Sequence, residues 1–533
     1  MEENFNNVED FEIEGKETPK PKKAIKWHII IPIISIIVIG IIVFIIVFKL
    51  KDDDNDDDNN NNVCEIGDED KCHICNGNKC VECNYRYELI KGKCKANFSF
   101  RAIYSTNTEN ESIDLINSIY KDYIIEMEID EEKVSPTTKY TFISSENHTA
   151  YFTMNIEGLN KLMIFEYIFN IKSVYFSKEF KTQNIKSLEN LFSSNINMES
   201  IDISNLNTEK LENIDNMFSD CSSLKYLKLP NSKTPNLKSM SYTFKNCFSL
   251  ESIDLHNFDT EKVTQMSYTF FGCRSLSSIN LTNFNSKNVV DMAGLFGECN
   301  SLISIDISHF QTQNLENMNG LFQGCISLKS IDLSNFDTQK VDDMSYLFND
   351  CHSLESFNID NFKTKNVKDM SSMFENCFKL TSIDLSKFDT SKVEKMNYMF
   401  ANCNLLKSID VSNFNTENLN SMFGMFAGCY SLYSINVSNF NTPKLVDMDI
   451  LFALCSSLIS IDLSNFNTEK VDKMNRVFYN CGNLSYIDIS NFTYNTEYNE
   501  LFEGIAKNGE IKIKKGIRDK LNISDLLWTI TEI

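Results

Sequence analysis

Cysteine falls at 221, 247, 273, 299, 325, 351, 377, 403, 429, 455 and 481, a constant step of 26 residues without insertion or deletion. A Phe precedes each of these Cys by three residues, from Phe218 to Phe478, and a Leu follows by three, from Leu224 to Leu484. An unbroken register gives each unit an equivalent place on its neighbour, which is the signature of a solenoid. The unit from Cys299 to Gly324 has the sequence CNSLISIDISHFQTQNLENMNGLFQG. The register starts before the first Cys, with Asn195 in the Cys column and a weaker copy at 173–184. Past Cys481 it shortens, since Phe502 follows Phe478 by 24. GEIKIKKG from Gly509 then predicts a last strand, and residues 516–533 are expected to cap the open end.

Within one unit, Leu302, Ile305 and Ile307 carry the L-x-x-I-x-I spacing of a leucine-rich-repeat strand. One such strand per unit, all in one direction, predicts a parallel sheet at ~4.8 Å per rung on the concave side. Phe310 turns inward. Leu315, Met318, Leu321, Phe322 and Cys325 recur at three- and four-residue steps, which predicts a short helix or 3₁₀ turn on the convex side. Thr312 precedes that turn as an expected N-cap, and Thr fills its column from Thr208 to Thr468 except at Ser286. About nine apolar side chains per unit are thereby committed to a core.

The phrase F-x-x-C-x-S-L-x-S-I-D-L-S-N-F-D-T, with its Val and Met columns, resembles the BspA-like leucine-rich repeats, the 26-residue surface-protein repeat. The resemblance covers residues 171–515. It implies an α/β leucine-rich-repeat solenoid, exposure at a cell surface, and a role in adhesion. It brings no established binding residue to any position here.

The flanking segments place this solenoid. Residues 27–48 hold no Asp, Glu, Lys or Arg. A helix of that length spans the ~30 Å hydrocarbon core at ~1.5 Å per residue. The run is too long for a signal-peptide core and no small-residue cleavage site follows it, so an uncleaved signal anchor is expected; the alternative is a cleaved signal. Lys16, Lys20, Lys22, Lys23 and Lys26 precede the span, against Lys49 and Lys51 after it. The tail 1–26 is therefore expected in the cytosol and the rest of the chain outside the plasma membrane. Residues 49–63 are an Asp- and Asn-rich linker stretched by its own charge.

Residues 64–95 hold Cys64, Cys72, Cys75, Cys80, Cys83 and Cys94. Two CxxC pairs suggest zinc, but only four residues separate them, and an extracellular segment favours oxidised thiols. Three disulfides are expected, with the connectivity open. The pattern resembles the short EGF- or furin-like modules of receptor stalks, with Asn84-Tyr85-Arg86-Tyr87 where those modules carry Gly-Tyr. Residues 96–170 do not repeat. Their segments FSFRAIYS, YIIEMEI, KYTFIS and AYFTMNI predict strands of a small β-rich domain that leads into the solenoid and covers its first edge, with a short helix from Ser112 to Tyr120.

The repeat offers two columns for chemistry. Cys side chains on successive rungs lie ~4.8 Å apart, beyond the ~3.5–4.5 Å of a disulfide, so a ladder of buried free thiols is expected. On the concave face, a Ser column runs from Ser252 to Ser460, beside a column of Asp254, Asn280, Asp306, Asp332, Asn358, Asp384, Asp410, Asn436, Asp462 and Asp488. Asn recurs there at every third rung, leaving the carboxylate pairs Asp306/Asp332, Asp384/Asp410 and Asp462/Asp488. Two readings follow: a solvated polar ladder of hydrogen-bonded Ser and Asp, or weak sites for Ca²⁺, a basic group or a glycan. Tyr226 and Tyr486 stand only at the two ends, so weak repeated contacts and avidity are expected rather than one dominant anchor.

Net charge of −23 disfavours nucleic acid. The histidines His28, His73, His148, His256, His309 and His352 form no HExxH, and GxSxG and P-loop motifs are missing, so no enzyme and no cofactor is expected. Acceptor sequons for N-glycosylation stand at Asn97, Asn110, Asn147, Asn280, Asn436, Asn483, Asn491 and Asn522. Glycans at Asn280 and Asn436 would obstruct the concave face. The expected function is adhesion or recognition of an extracellular protein or glycan, with a ligand-free surface coat as the alternative.

Overall fold

The computed structural model describes residues 98–493, 499–518, 521 and 527–533, together with the backbone of four strands, Cys72–Asn76, Lys79–Cys83, Tyr87–Ile90 and Lys93–Ala96. The span expected at 27–48, the segments 1–26 and 49–63, Cys64, Asn97 and Asn522 lie outside the described residues. So do the side chains of Cys72, Cys75, Cys80, Cys83 and Cys94. No helix among the described residues is long and apolar enough to cross a membrane.

The strands Cys72–Asn76 and Lys79–Cys83 belong to one compact unit, and residues 98 onward belong to another. In the first, the two strands pair antiparallel, with Cys72 opposite Cys83 and Cys75 opposite Cys80.

In the second unit the β-rich domain and the first solenoid rungs share one seven-stranded sheet. Phe100–Ser105 pairs antiparallel with Asn147–Met154 on one side and with Ile171–Phe176 on the other. Ile124–Ile129 and then Glu132–Val134 extend the sheet beyond Asn147–Met154. Ile171–Phe176 pairs in parallel with Ser200–Asp202, and that strand with Tyr226–Lys228. The domain therefore covers the first edge of the solenoid by backbone hydrogen bonding. Alternation sets the faces: Phe100, Ala102 and Tyr104 are fully buried, while Arg101 and Ile103 face the other way. The helix expected from Ser112 is instead a strand, Glu111–Asp114, followed by a 3₁₀ turn at Ser118–Tyr123.

The rungs beyond are held by more than the short strands. Ser252–Asp254 pairs in parallel with Ser278–Asn280, Ser330–Asp332 with Ser356–Asn358, and Ser408–Asp410 with Ser434–Asn436. The rungs between, at 304–306 and 382–384, form no strand. A second ladder of single parallel bridges continues through every rung, from Lys161↔Ser187 to Asp447↔Lys473.

The convex side corrects the expected short helix or 3₁₀ turn: among the described residues no rung contains either. Amides of alternate residues donate to the next rung instead, Met292 to Asn317, Gly294 to Asn319, Phe296 to Leu321 and Glu298 to Gln323. This requires two residues per rung with positive φ. One column runs through Asn216, Tyr242, Tyr268, Gly294, Gly320 and Tyr346, and the other through Asp220, Asn246, Gly272, Glu298, Gly324 and Asp350. A helix cannot continue through such a residue, so the apolar steps of three and four mark tight turns.

The N-cap reading of Thr312 is corrected as well. Its hydroxyl accepts the Asp337 N–H at 2.7 Å and donates to the Asp337 carbonyl at 3.1 Å, clamping its rung to the next. Ser286 makes the same pair of bonds to Gln311, which is why Ser replaces Thr there without loss. Inside, the Phe rings from Phe165 through Phe322 to Phe502 form a stacked spine, with centroids 5.3 to 6.1 Å apart.

At the far end Asn508–Ile513 pairs in parallel with Tyr486–Ile489, and Leu527–Glu532 adds a further parallel strand. The cap is thus one more rung, fixed by Trp528 Nε1 donating to the Ala506 carbonyl at 2.8 Å.

Candidate functional site

The exposed face of the strand side is where side chains outside the core recur. In the Ser column, Ser252, Ser278, Ser304, Ser330, Ser356, Ser382, Ser408, Ser434 and Ser460 are all exposed. None of these hydroxyls has a side-chain hydrogen bond among the described residues, so the expected Ser–Asp ladder does not form.

The Asp/Asn column has a different task. Each Oδ1 accepts the backbone N–H two residues on, at 2.9 to 3.1 Å, from Asp254 to Asp488. This Asx turn ends the strand, and Asp and Asn serve it equally. Hydrogen bonds from Ser308 hold Asp306 below the usual carboxylate range, and those from Ser386 and Ser412 do the same for Asp384 and Asp410. Ser334, through its N–H, lowers Asp332. Asp462 is exposed, whereas Asp488 is buried with Lys512 Nζ 3.7 Å away. No group of three or more His, Cys, Asp or Glu able to hold a metal occurs among the described residues.

The eleven repeat thiols are free and buried. Each donates to the Phe carbonyl of the preceding rung at 3.0 to 3.3 Å. Burial pushes Cys273, Cys325, Cys429 and Cys481 up to about 12, which keeps them protonated and unreactive.

The histidines are structural where the geometry is clear. His309 stands in a column of Asn and, like them, bonds a carbonyl of the preceding rung, that of Leu281 at 2.9 Å. His148 lies between Asp130, at 2.7 Å, and the Thr106 hydroxyl, at 3.2 Å. That hydroxyl donates to the Ser144 carbonyl at 2.8 Å, and Thr106 is buried, so the trio ties three loops together. His256 sits exposed beside Asp254, and His352 stacks on Phe378. The sequon residues Asn110, Asn147, Asn280, Asn436, Asn483 and Asn491 are all exposed.

One part of this face was not foreseen. Where the β-rich domain joins the solenoid, Arg101, Tyr175, Asp202 and Lys228 stand opposite one another on successive strands. They line a shallow cavity of about 200 Å³ with Ser173, Ser200 and Tyr226. The face thus has the Arg and aromatic groups that the repeats alone lack. No spacing in the sequence ties Arg101 to Tyr175, because an antiparallel pairing leaves no period.

Fold and face define the class: a repeat solenoid of the leucine-rich type, with one sheet face open to solvent. The family described as "Mycoplasma protein of unknown function, DUF285" matches residues 138–250, 238–353, 320–432 and 404–513. The chain belongs to that family. No curated protein matches the chain. Among solved structures, "Functional domain of InlJ from Listeria monocytogenes includes a cysteine ladder" is similar at 14% identity, covering 77% of this chain and 78% of that one, with a TM-score of 0.24. "Crystal structure of TLR13-ssRNA13 complex" is similar at 17% identity, covering 65% of each chain, with a TM-score of 0.15.

Proposed function

We propose that the chain is a single-pass surface protein whose solenoid recognises an extracellular protein or glycan through its sheet face, by weak repeated contacts. The observation that supports this most is the Ser column. On nine rungs these hydroxyls are exposed, and among the described residues none has a hydrogen-bond partner or a place in the core. Spaced at ~4.8 Å, they offer the same donor and acceptor on rung after rung, which suits avidity. The membrane anchor belongs to this reading through the apolar run at 27–48 and the lysines before it.

A structural coat without a specific ligand is the second reading. It is favoured by the Asx turns, which give the Asp/Asn column a purpose inside the fold. Binding of the full-length chain to panels of glycans, matrix proteins and whole cells separates the two. Saturable binding supports recognition, and uniform silence supports the coat.

A further inference from the structure

We propose that the join between the β-rich domain and the solenoid binds an acidic saccharide, with Arg101 receiving the sugar carboxylate. This rests on the sheet face being the recognition surface and names what one end of it takes.

Register places the groups. Tyr151, Arg101, Tyr175, Asp202 and Lys228 are directly opposite one another on five adjacent strands. Opposed residues project to the same side, and the four of them that line the cavity, from Arg101 to Lys228, form one row across three interstrand steps of ~4.8 Å, about 14 Å in all. That is the reach of a short oligosaccharide.

Arg101 is the group that needs a ligand. It is half-buried, its guanidinium lies 5.8 Å from the centroid of the Tyr175 ring, and among the described residues no carboxylate or other acceptor meets its N–H donors. By contrast, Arg274 pairs with Glu298 and Arg476 with Glu500. A guanidinium that lines a cavity and stacks on Tyr175, with no acceptor on its N–H donors among the described residues, is a fork for a planar two-oxygen anion.

The surroundings choose a sugar over a peptide. Asp202, paired with Lys228 at 3.0 Å, is an acceptor for hydroxyl donors. Tyr226, 71% exposed, offers an aromatic face against which the C–H face of a pyranose packs. The strands carrying Arg101, Tyr175 and Asp202 are each paired on both sides, so a peptide cannot add to them as a strand. A ligand that combines a carboxylate, several hydroxyls and an apolar C–H face meets Arg101, Asp202 and Tyr226 together.

The test is calorimetry of the full-length chain, purified in mild detergent, with tetragalacturonate, a hyaluronan tetrasaccharide and sialyllactose. Each probe is compared with its carboxyl-reduced counterpart and with a hexaglutamate peptide. At least one acidic sugar is expected to bind about tenfold more tightly than its reduced form and than the peptide, the gain of one charge-assisted contact. Arg101→Ala is expected to abolish that preference, Arg101→Lys to retain part of it, and Tyr226→Ala to weaken both sugar forms alike. Thermal unfolding is measured for the Arg101 variants themselves, and Tyr226→Ala, at an exposed site, supplies a second test that does not depend on their folding. Equal binding of acidic and reduced sugars, full binding by Arg101→Ala, preference for hexaglutamate, or silence with all three sugars overturns the proposal. Silence here with persistent binding on the broad panels removes the saccharide alone; silence on both removes recognition as well.

Discussion

The thiol of Cys325 donates to the carbonyl of Phe296, one rung earlier, at 3.1 Å. At the start of the column Asn195 takes the same place, its Nδ2 donating to the Phe165 and Phe192 carbonyls at 2.8 Å each. The column therefore selects a small buried donor, and cysteine is its compact apolar form. Native protein at pH 8 is expected to leave the eleven repeat thiols unmodified by an aqueous thiol reagent, and unfolded protein to expose them all. Rapid native labelling within Cys221 to Cys481, followed by peptide mapping, would contradict this.

Alkaline stability follows from the same burial. Folding raises Cys273, Cys325 and Cys429 to about 12, above the ~8.5 of an unfolded thiol. A group raised on folding contributes stability that is complete below its unfolded value and is lost as pH rises toward the folded one. Resistance to denaturant is thus expected to be steady with respect to these thiols up to about pH 8.5 and to fall progressively above it. Replacing Cys273, Cys325 and Cys429 by Ala is expected to flatten that fall while lowering stability at neutral pH. An unchanged alkaline slope would count against the account.

The rung clamp is tested at Thr312. Thr312→Val leaves the part-buried Asp337 N–H without its acceptor and is expected to cost ~1 kcal/mol or more in thermal or urea unfolding. Thr312→Ser, which copies Ser286, is expected to cost much less. Equal losses for Val and Ser would assign the position to packing alone.

The paired turns are tested at glycine. Gly294 has φ +57°, and a Cβ there would come within 2.5 Å of the Tyr268 ring on the preceding rung. Gly158 has φ +89° with open space around it. Both substitutions to Ala carry the left-handed cost of ~1–2 kcal/mol, and only Gly294→Ala adds a collision. Gly294→Ala is expected to lower the unfolding temperature clearly more than Gly158→Ala.

These turns show what was legible and what was not. The period and the Phe, Leu and Cys columns are core because stacking repeats every environment, and a fixed step carries that information. The steps from Leu315 to Phe322 fit a helix equally well, and hydrophobic spacing does not distinguish the two. The signal lay elsewhere, in the column from Asp220 onward, held mostly by Asp, Asn and Gly, residue types that accept positive φ, with Glu298 and Leu454 as its exceptions. The companion column hid it, since Tyr242, Ile450 and Arg476 adopt the same conformation without that preference. Likewise the second ladder begins at Lys161, ahead of the recognisable repeats, because the step from Phe165 to Phe192 is 27 and breaks the register. The Asp/Asn column stood out in the sequence as unexplained, yet a turn two residues long explains it. The Ser column was plain in sequence, and only the structure leaves it unpartnered.

The central claim, recognition through the sheet face, is tested most directly by blocking that face. Ser304→Lys, Ser330→Lys and Ser356→Lys together place bulk and charge on three adjacent exposed rungs without entering the core. Binding of the full-length chain to whichever panel member it recognises is measured for wild type and for this triple variant. The account predicts saturable wild-type binding that falls by at least about tenfold in the variant, as expected when repeated contacts are interrupted, with thermal unfolding unchanged. Undiminished binding by a folded triple variant would contradict it and move recognition to another surface.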